Sequence, residues 1–393
     1  MLALVAPGQG AQTPGFLAPW LEIPAVADRV AWWSTVTGLD LARYGTEGDA
    51  EEIRDTAVAQ PLLVSAALAS VLCVFPHPAD AFRQVGAVAG HSVGEIAALA
   101  GTNVISAESA LVLVRERGRA MAEASAATAT GMTAVLGGDP DDVLSVLERH
   151  GLTAANRNGA GQVVAAGTLE QLEALAADPP AKARLRPLSV AGAFHTEHMR
   201  PAVERLGALG RAISVRDPRT RLVSNADGMV IHDGHDALDR VVRQVSNPVR
   251  WDLCMQTLGE LGVTGVLEVP PAGTLVGLVR RALPGVETFA LKTPDDLRDA
   301  REFVSAHAMA SPLDTSPTWR LLVSPLSGTF RRGDAAAGEA LPAGMAVGGV
   351  VARGEDHPVL APHGGTVIEW LAEDGDPVSP GQPLVRLHPD GAE

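Results

Sequence analysis

Cysteine is scarce: Cys73 and Cys254 are the only two in 393 residues. Two thiols cannot staple a chain of this size, which excludes a disulfide-built scaffold and points to a reducing cytoplasm. Basic charge is also short, with 31 Lys and Arg against 46 Asp and Glu and a formal net charge of −15. That balance argues against nucleic acid as a partner, and any acidic partner needs a local basic patch. No uninterrupted apolar run approaches the length of a membrane span. The opening Met1–Ala6 has no basic flank and runs into Pro7-Gly8, so it reads as a first strand and not as a signal peptide. What is present is 46% apolar and 20% charged, a globular composition in a chain long enough for two or three domains.

Within it, Gly90-His91-Ser92-Val93-Gly94-Glu95 contains G-x-S-x-G in the right surroundings. Val85–Ala89 is a short apolar run suited to a buried strand, and Glu95–Ala100 reads as a helix. A serine on a sharp strand-to-helix turn has its hydroxyl pushed clear, and the helix N-terminus offers free N–H groups to an oxyanion. The plainer alternative is a glycine-rich loop with Ser92 as a helix cap.

A serine nucleophile needs a base, and of eleven histidines His195 in Gly192-Ala-Phe-His-Thr-Glu-His198 stands out. It follows an expected strand, Leu188–Ala191, and opens a helix, at a sheet edge where sites collect. A helix-cap histidine, or a metal pair with His198, are the alternatives; no third ligand is near, and no metal is expected. The helix expected over Ala107–Ala124 has an apolar stripe of Ala110, Leu113, Val114, Met121 and Ala124, with Arg117 in its middle. A guanidinium facing the interior must find an anion, either an internal Asp or Glu or a bound carboxylate. The loop Pro7–Gln12 after the first strand could supply a further oxyanion donor, and it lacks the lysine of a phosphate loop.

Strands and helices alternate through about Lys292, as in a mostly parallel sheet covered by helices. One segment changes rhythm: strand Met132–Leu136, helix Asp139–His150, strands Leu152–Asn156 and Gln162–Gly167, helix Thr168–Ala177, strand Leu185–Val190. That β-α-β-β-α-β order predicts a ferredoxin-like insertion, about 128–191. A final helix lies within Pro294–Ala310, and Met309–Thr318 is a Pro/Ser-rich linker. Beyond it the chain repeats itself with an offset of 37 residues: Val323–Phe330 matches Leu360–Val367, and Gly344 matches Gly381. Two similar β-rich halves predict a flattened all-β barrel with quasi-twofold symmetry.

Together PGQGAQ (7–12), GHSVGE (90–95), RGRAM (117–121), NGAGQVVAAG (158–167), AFHTEHM (193–199) and NPVRW (247–251) closely resemble the malonyl-CoA:acyl carrier protein transacylases and the related polyketide synthase acyltransferase domains. The resemblance covers about 1–305, within a catalytic domain set at 1–308, and implies an α/β-hydrolase-like core. It implies Ser92 as nucleophile, His195 as base, the N–H groups of Gln9 and Val93 as oxyanion hole, and Arg117 as holder of the malonyl carboxylate. It implies that a backbone carbonyl orients the histidine, which is expected to be that of Arg250, and that His91 lines the pocket. Val93 and Phe194 at their places accompany malonyl over methylmalonyl choice. The partners implied are malonyl-CoA and acyl carrier protein. Carrier proteins are strongly acidic, which makes Arg280-Arg281 a candidate docking patch on this acidic chain. A serine esterase or thioesterase of α/β-hydrolase type is the competing class, normally ordered Ser, then Asp or Glu, then His.

Residues 319–393 resemble a biotinyl/lipoyl attachment domain through VSPLSGTF and GDPVSPGQPLVRL. Counting back from Ala361, Gly354 stands where the modifiable lysine belongs, and no lysine follows Lys292. No biotin or lipoate is therefore expected; docking of a protein partner or another subunit remains.

Overall fold

The structure is a computed structural model that describes residues 1–75, 77–190, 192–308 and 320–388. The chain divides into two compact units, Met1–Ala310 and Ser311–Glu393. The expected linker Met309–Thr318 lies outside the described residues.

In the first unit, β1 (Leu2–Ala6) and β2 (Val85–Gly90) are buried along their whole length. They pair in parallel at the centre of a six-stranded sheet. In chain order the unit continues with β3 (Thr130–Gly137), β4 (Thr153–Gly159), β5 (Gln162–Thr168), β6 (Ala183–Pro187), β7 (Arg221–Val223), β8 (Val230–Ile231), β9 (Gly265–Glu268) and β10 (Glu287–Ala290). The central sheet has the order β10-β9-β1-β2-β7-β8, parallel except for the β7–β8 hairpin.

Alternation along β1 shows why both faces are covered. Leu2, Leu4 and Ala6 join one core cluster with the helices Thr56–Val74 and Ala107–Ala127. Ala3 and Val5 join the other, against the helices Trp251–Glu260 and Leu275–Ala282. A strand buried on both faces reads as a continuous apolar run, which is how β1 and β2 read. The helix Thr56–Val74 is long and apolar enough to cross a membrane, but 78% of that window is buried inside the protein. Glycine lets it pack closely: a Cβ on Gly118 would sit 2.7 Å from Thr56 O.

The strands β3 to β6 form a separate antiparallel sheet, order β4-β5-β3-β6, with the helices Pro140–Arg149 and Leu169–Ala177 packed on it. Its last strand ends at Pro187, short of the Val190 expected. The reason is local: Leu188 N–H still reaches Met132 O at 2.9 Å, then Val190 N–H turns back to Leu188 O. Leu188–Val190 is therefore not a strand, and His195 follows a turn. The single bridge Asn156–Val249 ties β4 to the segment that leads into the helix Trp251–Glu260.

In the second unit, β11 (Arg320–Val323), β12 (Gly328–Arg332), β13 (Ala340–Leu341) and β14 (Met345–Ala352) come from the first half of the repeat. The second half gives β15 (Glu355–Ala361), β16 (Gly365–Trp370), β17 (Pro377–Val378) and β18 (Pro383–His388). The two antiparallel sheets are β11-β18-β16-β13 and β15-β14-β12-β17. Exchanging each strand for its repeat counterpart turns one order into the other. The β14–β15 hairpin turns at Arg353 (φ 52) and Gly354 (φ 85).

Candidate active site

Ser92 sits between β2 and the helix Gly94–Gly101 with φ 53, a left-handed conformation costly for a residue with a side chain. The flanking glycines are required by space. A Cβ on Gly90 would lie 2.0 Å from Gly94 C, and one on Gly94 would lie 2.2 Å from Ala6 O. Gly8, in the loop after β1, is also close, though less tightly: its Cβ would meet His91 O at 2.9 Å. The two loops at the strand ends thus interlock, and His91 N–H closes the joint on Ala6 O at 2.9 Å.

His195 is 2% exposed and also takes a positive φ of 62. Its Nε2 lies 2.7 Å from Ser92 Oγ. Its Nδ1 lies 2.8 Å from the backbone oxygen of Gln244, which fixes the tautomer that leaves Nε2 as the acceptor facing serine. Here the structure corrects the expectation that Arg250 supplies this carbonyl. Arg250 O already accepts Cys254 N–H as the first bond of the helix Trp251–Glu260. Gln244 is the last residue of the helix Gly234–Gln244, so its carbonyl is one of the oxygens a helix leaves unpaired. The Arg250 side chain instead makes a two-point pair with Asp252, at 3.0 and 2.9 Å.

Arg117 is 1% exposed within the apolar stripe. Its Nη1 donates to Gln60 Oε1 at 2.7 Å and its Nη2 to Gln244 Oε1 at 2.9 Å. Nη2 also reaches Ser92 Oγ at 3.4 Å. Among the described residues no carboxylate forms an ion pair with it, and its Nε has no partner. Burial lowers its pKa to about 10, so it is charged at neutral pH, while burial and then Arg117 push His195 down to about 3. His195 is accordingly a neutral base.

Gln60, Gln244, Glu95 and Asn225, which sequence reasoning did not single out, hold this geometry. Glu95, 3% exposed, accepts Gln244 Nε2–H at 2.6 Å and Asn225 N–H at 2.8 Å. Asn225 Oδ1 in turn accepts Ser92 N–H at 2.8 Å. The Ser92 amide is therefore spent, whereas among the described residues the amides of Val93 and Gln9 make no hydrogen bond. Gln9 is fixed instead by its side chain, which donates to Arg54 O and Thr56 Oγ1. His91 Nε2 pairs with Asn158 Oδ1 at 2.9 Å and stands edge-on to Trp251; burial lowers its pKa. Val93 and Phe194 are both buried, Phe194 next to the base. His198 joins no metal-binding group, and none of three or more ligands occurs among the described residues.

A Ser92–His195 pair beside a buried arginine that has no ion-paired carboxylate among the described residues, on this sheet, has close relatives. Residues 4–308 match the Acyl transferase domain family.

The chain belongs to the acyl transferase family.

It is 54% identical over 302 residues to the malonyl CoA-acyl carrier protein transacylase of Mycobacterium bovis, covering 76% of this chain and 98% of that protein. The Bacillus subtilis protein of the same name is 32% identical, over 75% of this chain and 95% of its own length. Among solved structures, MCAT from Mycobacterium tuberculosis superposes with a TM-score of 0.74 at 53% identity, covering 77% of this chain and 99% of that one. A malonyl-transacylase solved in complex with a type II PKS acyl-carrier protein matches with a TM-score of 0.72 at 32% identity, over 77% of this chain and 99% of that one. This member of the family is an acyltransferase that carries a second unit beyond the matched residues.

Proposed function

We propose that this chain transfers the malonyl group of malonyl-CoA to the phosphopantetheine thiol of acyl carrier protein, through a malonyl ester on Ser92, and so supplies chain elongation in fatty acid synthesis. The observation that carries the reading is Arg117, charged, buried, held by two neutral amides and 3.4 Å from Ser92 Oγ. A buried guanidinium without a carboxylate partner is costly, and the free carboxylate of malonyl supplies one in the place where the acyl chain must lie.

In the reaction, His195 Nε2 takes the Ser92 proton as Oγ attacks the thioester carbonyl. The oxyanion is received by the amides of Val93 and Gln9, which their own fold leaves unspent. His195 returns the proton to the departing CoA thiolate, and the carrier thiol then repeats the cycle in reverse. Phe194 supplies the bulk that favours malonyl over its α-methyl homologue, and Val93 after the nucleophile accompanies that choice. An esterase normally places an acid on the base; His195 Nδ1 meets a carbonyl instead, which favours the transferase.

The unit Ser311–Glu393 we read as a biotinyl/lipoyl-like barrel without its lysine, and β3–β6 as a ferredoxin-like subdomain inserted in an α/β-hydrolase-like core. The crossed strand orders support the first, and the four-stranded order with two helices the second. Neither metal nor prosthetic group enters this reading, and its setting is the cytoplasm.

The test is direct. Incubation with labelled malonyl-CoA should mark Ser92, and Ser92→Ala should abolish label and transfer. His195→Ala should remain folded and lose about 10²–10⁴ in rate. Label on any other residue overturns the assignment.

A further inference from the structure

The helix Gly94–Gly101, which Ser92 precedes, borders an apolar crevice with its later turns. The outer part measures about 500 Å³, the size of a small-molecule site, and passes between Leu68, Val71 and Phe75. The inner part, about 40 Å³, continues between Ala98 and the strand residues Leu4 and Val88. Phe82 and Gly101 line both parts, and a Cβ on Gly101 would meet nothing within 4 Å, which marks open space at the throat. The outer part also gathers donors. Trp33 is 1% exposed, yet its indole N–H has no partner among the described residues. Arg29 lies 5.9 Å from the centre of the Trp33 ring and Arg219 lies 5.5 Å from that of Phe82. Both are exposed, and neither forms an ion pair among the described residues. The one carboxylate in the lining, Glu108, accepts the Trp32 indole N–H at 3.4 Å. A buried donor without an acceptor is costly, and a guanidinium resting on a ring keeps its N–H edge free for an anion.

We propose that this crevice binds a single-chain amphiphile, its anionic head on Trp33, Arg29 and Arg219 and its acyl chain running inward past Gly101. Carboxylate and phosphate heads share the required chemistry. The occupant acts on catalysis through the helix Gly94–Gly101. As it stands the inner part holds only a few waters' worth of space, so a chain end entering it presses that helix away from β1 and β2. The helix start cannot give without disturbing the joint, because a Cβ on Gly94 would already lie 2.2 Å from Ala6 O. The Val93 amide then leaves its oxyanion position, and Ser92 acylation slows. This regulation rests on the transfer reading, in which long acyl chains are what the malonyl supply ends in; the binding itself does not.

The experiment uses the full chain. Binding of dodecanoate, dodecyl phosphate and dodecyltrimethylammonium, each below its micelle concentration, is measured by titration calorimetry. Ser92 acylation by malonyl-CoA is timed with and without each. At least one anion should saturate a single site and bind about tenfold or more tightly than the cation of equal chain length. The tighter anion identifies the source, a free fatty acid or a phosphate-headed acyl ligand. Arg29→Glu/Arg219→Glu should weaken anion binding about tenfold, and Gly101→Leu, which fills the throat, should abolish it. Without ligand both variants should acylate Ser92 within about twofold of the native rate, since neither touches the dyad. The anion should slow acylation in the native chain and not in Gly101→Leu. Absence of saturable anion binding, or binding that Gly101→Leu leaves intact, overturns the proposal. Slowing that persists in Gly101→Leu overturns it too, by placing the chain at Ser92 itself. Failure of the native chain to acylate would sink the transfer reading, while the calorimetry would still decide the crevice.

Discussion

Glu95 is the carboxylate closest in sequence to the nucleophile, yet it touches no substrate-facing atom; it acts through Gln244 and Asn225. Burial raises its pKa to about 7 from an ordinary 4.5. Because the folded value lies above the unfolded one, the native state binds this proton more tightly. The stability it contributes is complete below pH 4.5 and is lost as pH rises through about 7. A shift of that size is worth roughly 3 kcal/mol. Urea unfolding of Glu95→Gln beside the native chain at pH 5 and pH 8 should show the native protein losing about 2–3 kcal/mol relative to the variant. Parallel pH profiles would refute the assignment. At Arg117 the expected consequence concerns selectivity. Arg117→Ala should cut malonyl transfer by at least about 10²-fold while acetyl transfer changes far less. A preserved malonyl-to-acetyl ratio would leave Arg117 only a structural role. The stripe made Arg117 visible in the sequence, but Gln60 and Gln244, 57 and 127 residues away from it, were not. Amide side chains carry no periodic signal, and only folding brings them to the guanidinium.

At the scale of elements, the turn from β2 into the helix Gly94–Gly101 concentrates the constraints. The backbone of Gly94 lies so near Ala6 O that even one methyl requires the two loops to separate. Gly94→Ala should therefore cost about 1–3 kcal/mol and slow Ser92 acylation by about 10²-fold, measured by unfolding and by single-turnover labelling. Near-native acylation would show that the joint yields more easily than its spacing indicates. This turn was legible because glycine spacing, an apolar run and a helix pattern are all local. The carbonyl on His195 was not. Arg250 and Gln244 sit in one segment, and the difference between them is which end of a helix each occupies. A carbonyl at a helix start is consumed by the next turn, whereas Gln244 O, at a helix end, carries the Asn247 N–H at 3.1 Å and still accepts His195 Nδ1–H at 2.8 Å.

For the whole molecule, the transferase machinery lies within Met1–Ala310, and Ser311–Glu393 has its own core of residues such as Phe330, Val350 and Leu384. A chain ending at Ala310 should keep malonyl transfer within about twofold and stay soluble, by activity assay and gel filtration, since units with separate cores fold on their own. Lost activity or solubility would make the second unit part of the enzyme. The sequence alone determined the parallel core strands, the serine elbow, the histidine, the buried arginine and the 37-residue repeat. Each of these is written in period, spacing or residue type within a short window. Only the tertiary structure decided that Arg117 meets two amides and, among the described residues, no ion-paired acid, that Gln244 serves both His195 and Arg117, and that Asn225, itself held by Glu95, takes up the Ser92 amide. Those pairings join residues far apart in the chain, and they are set by where rigid helices and strands end when both faces of one sheet are buried.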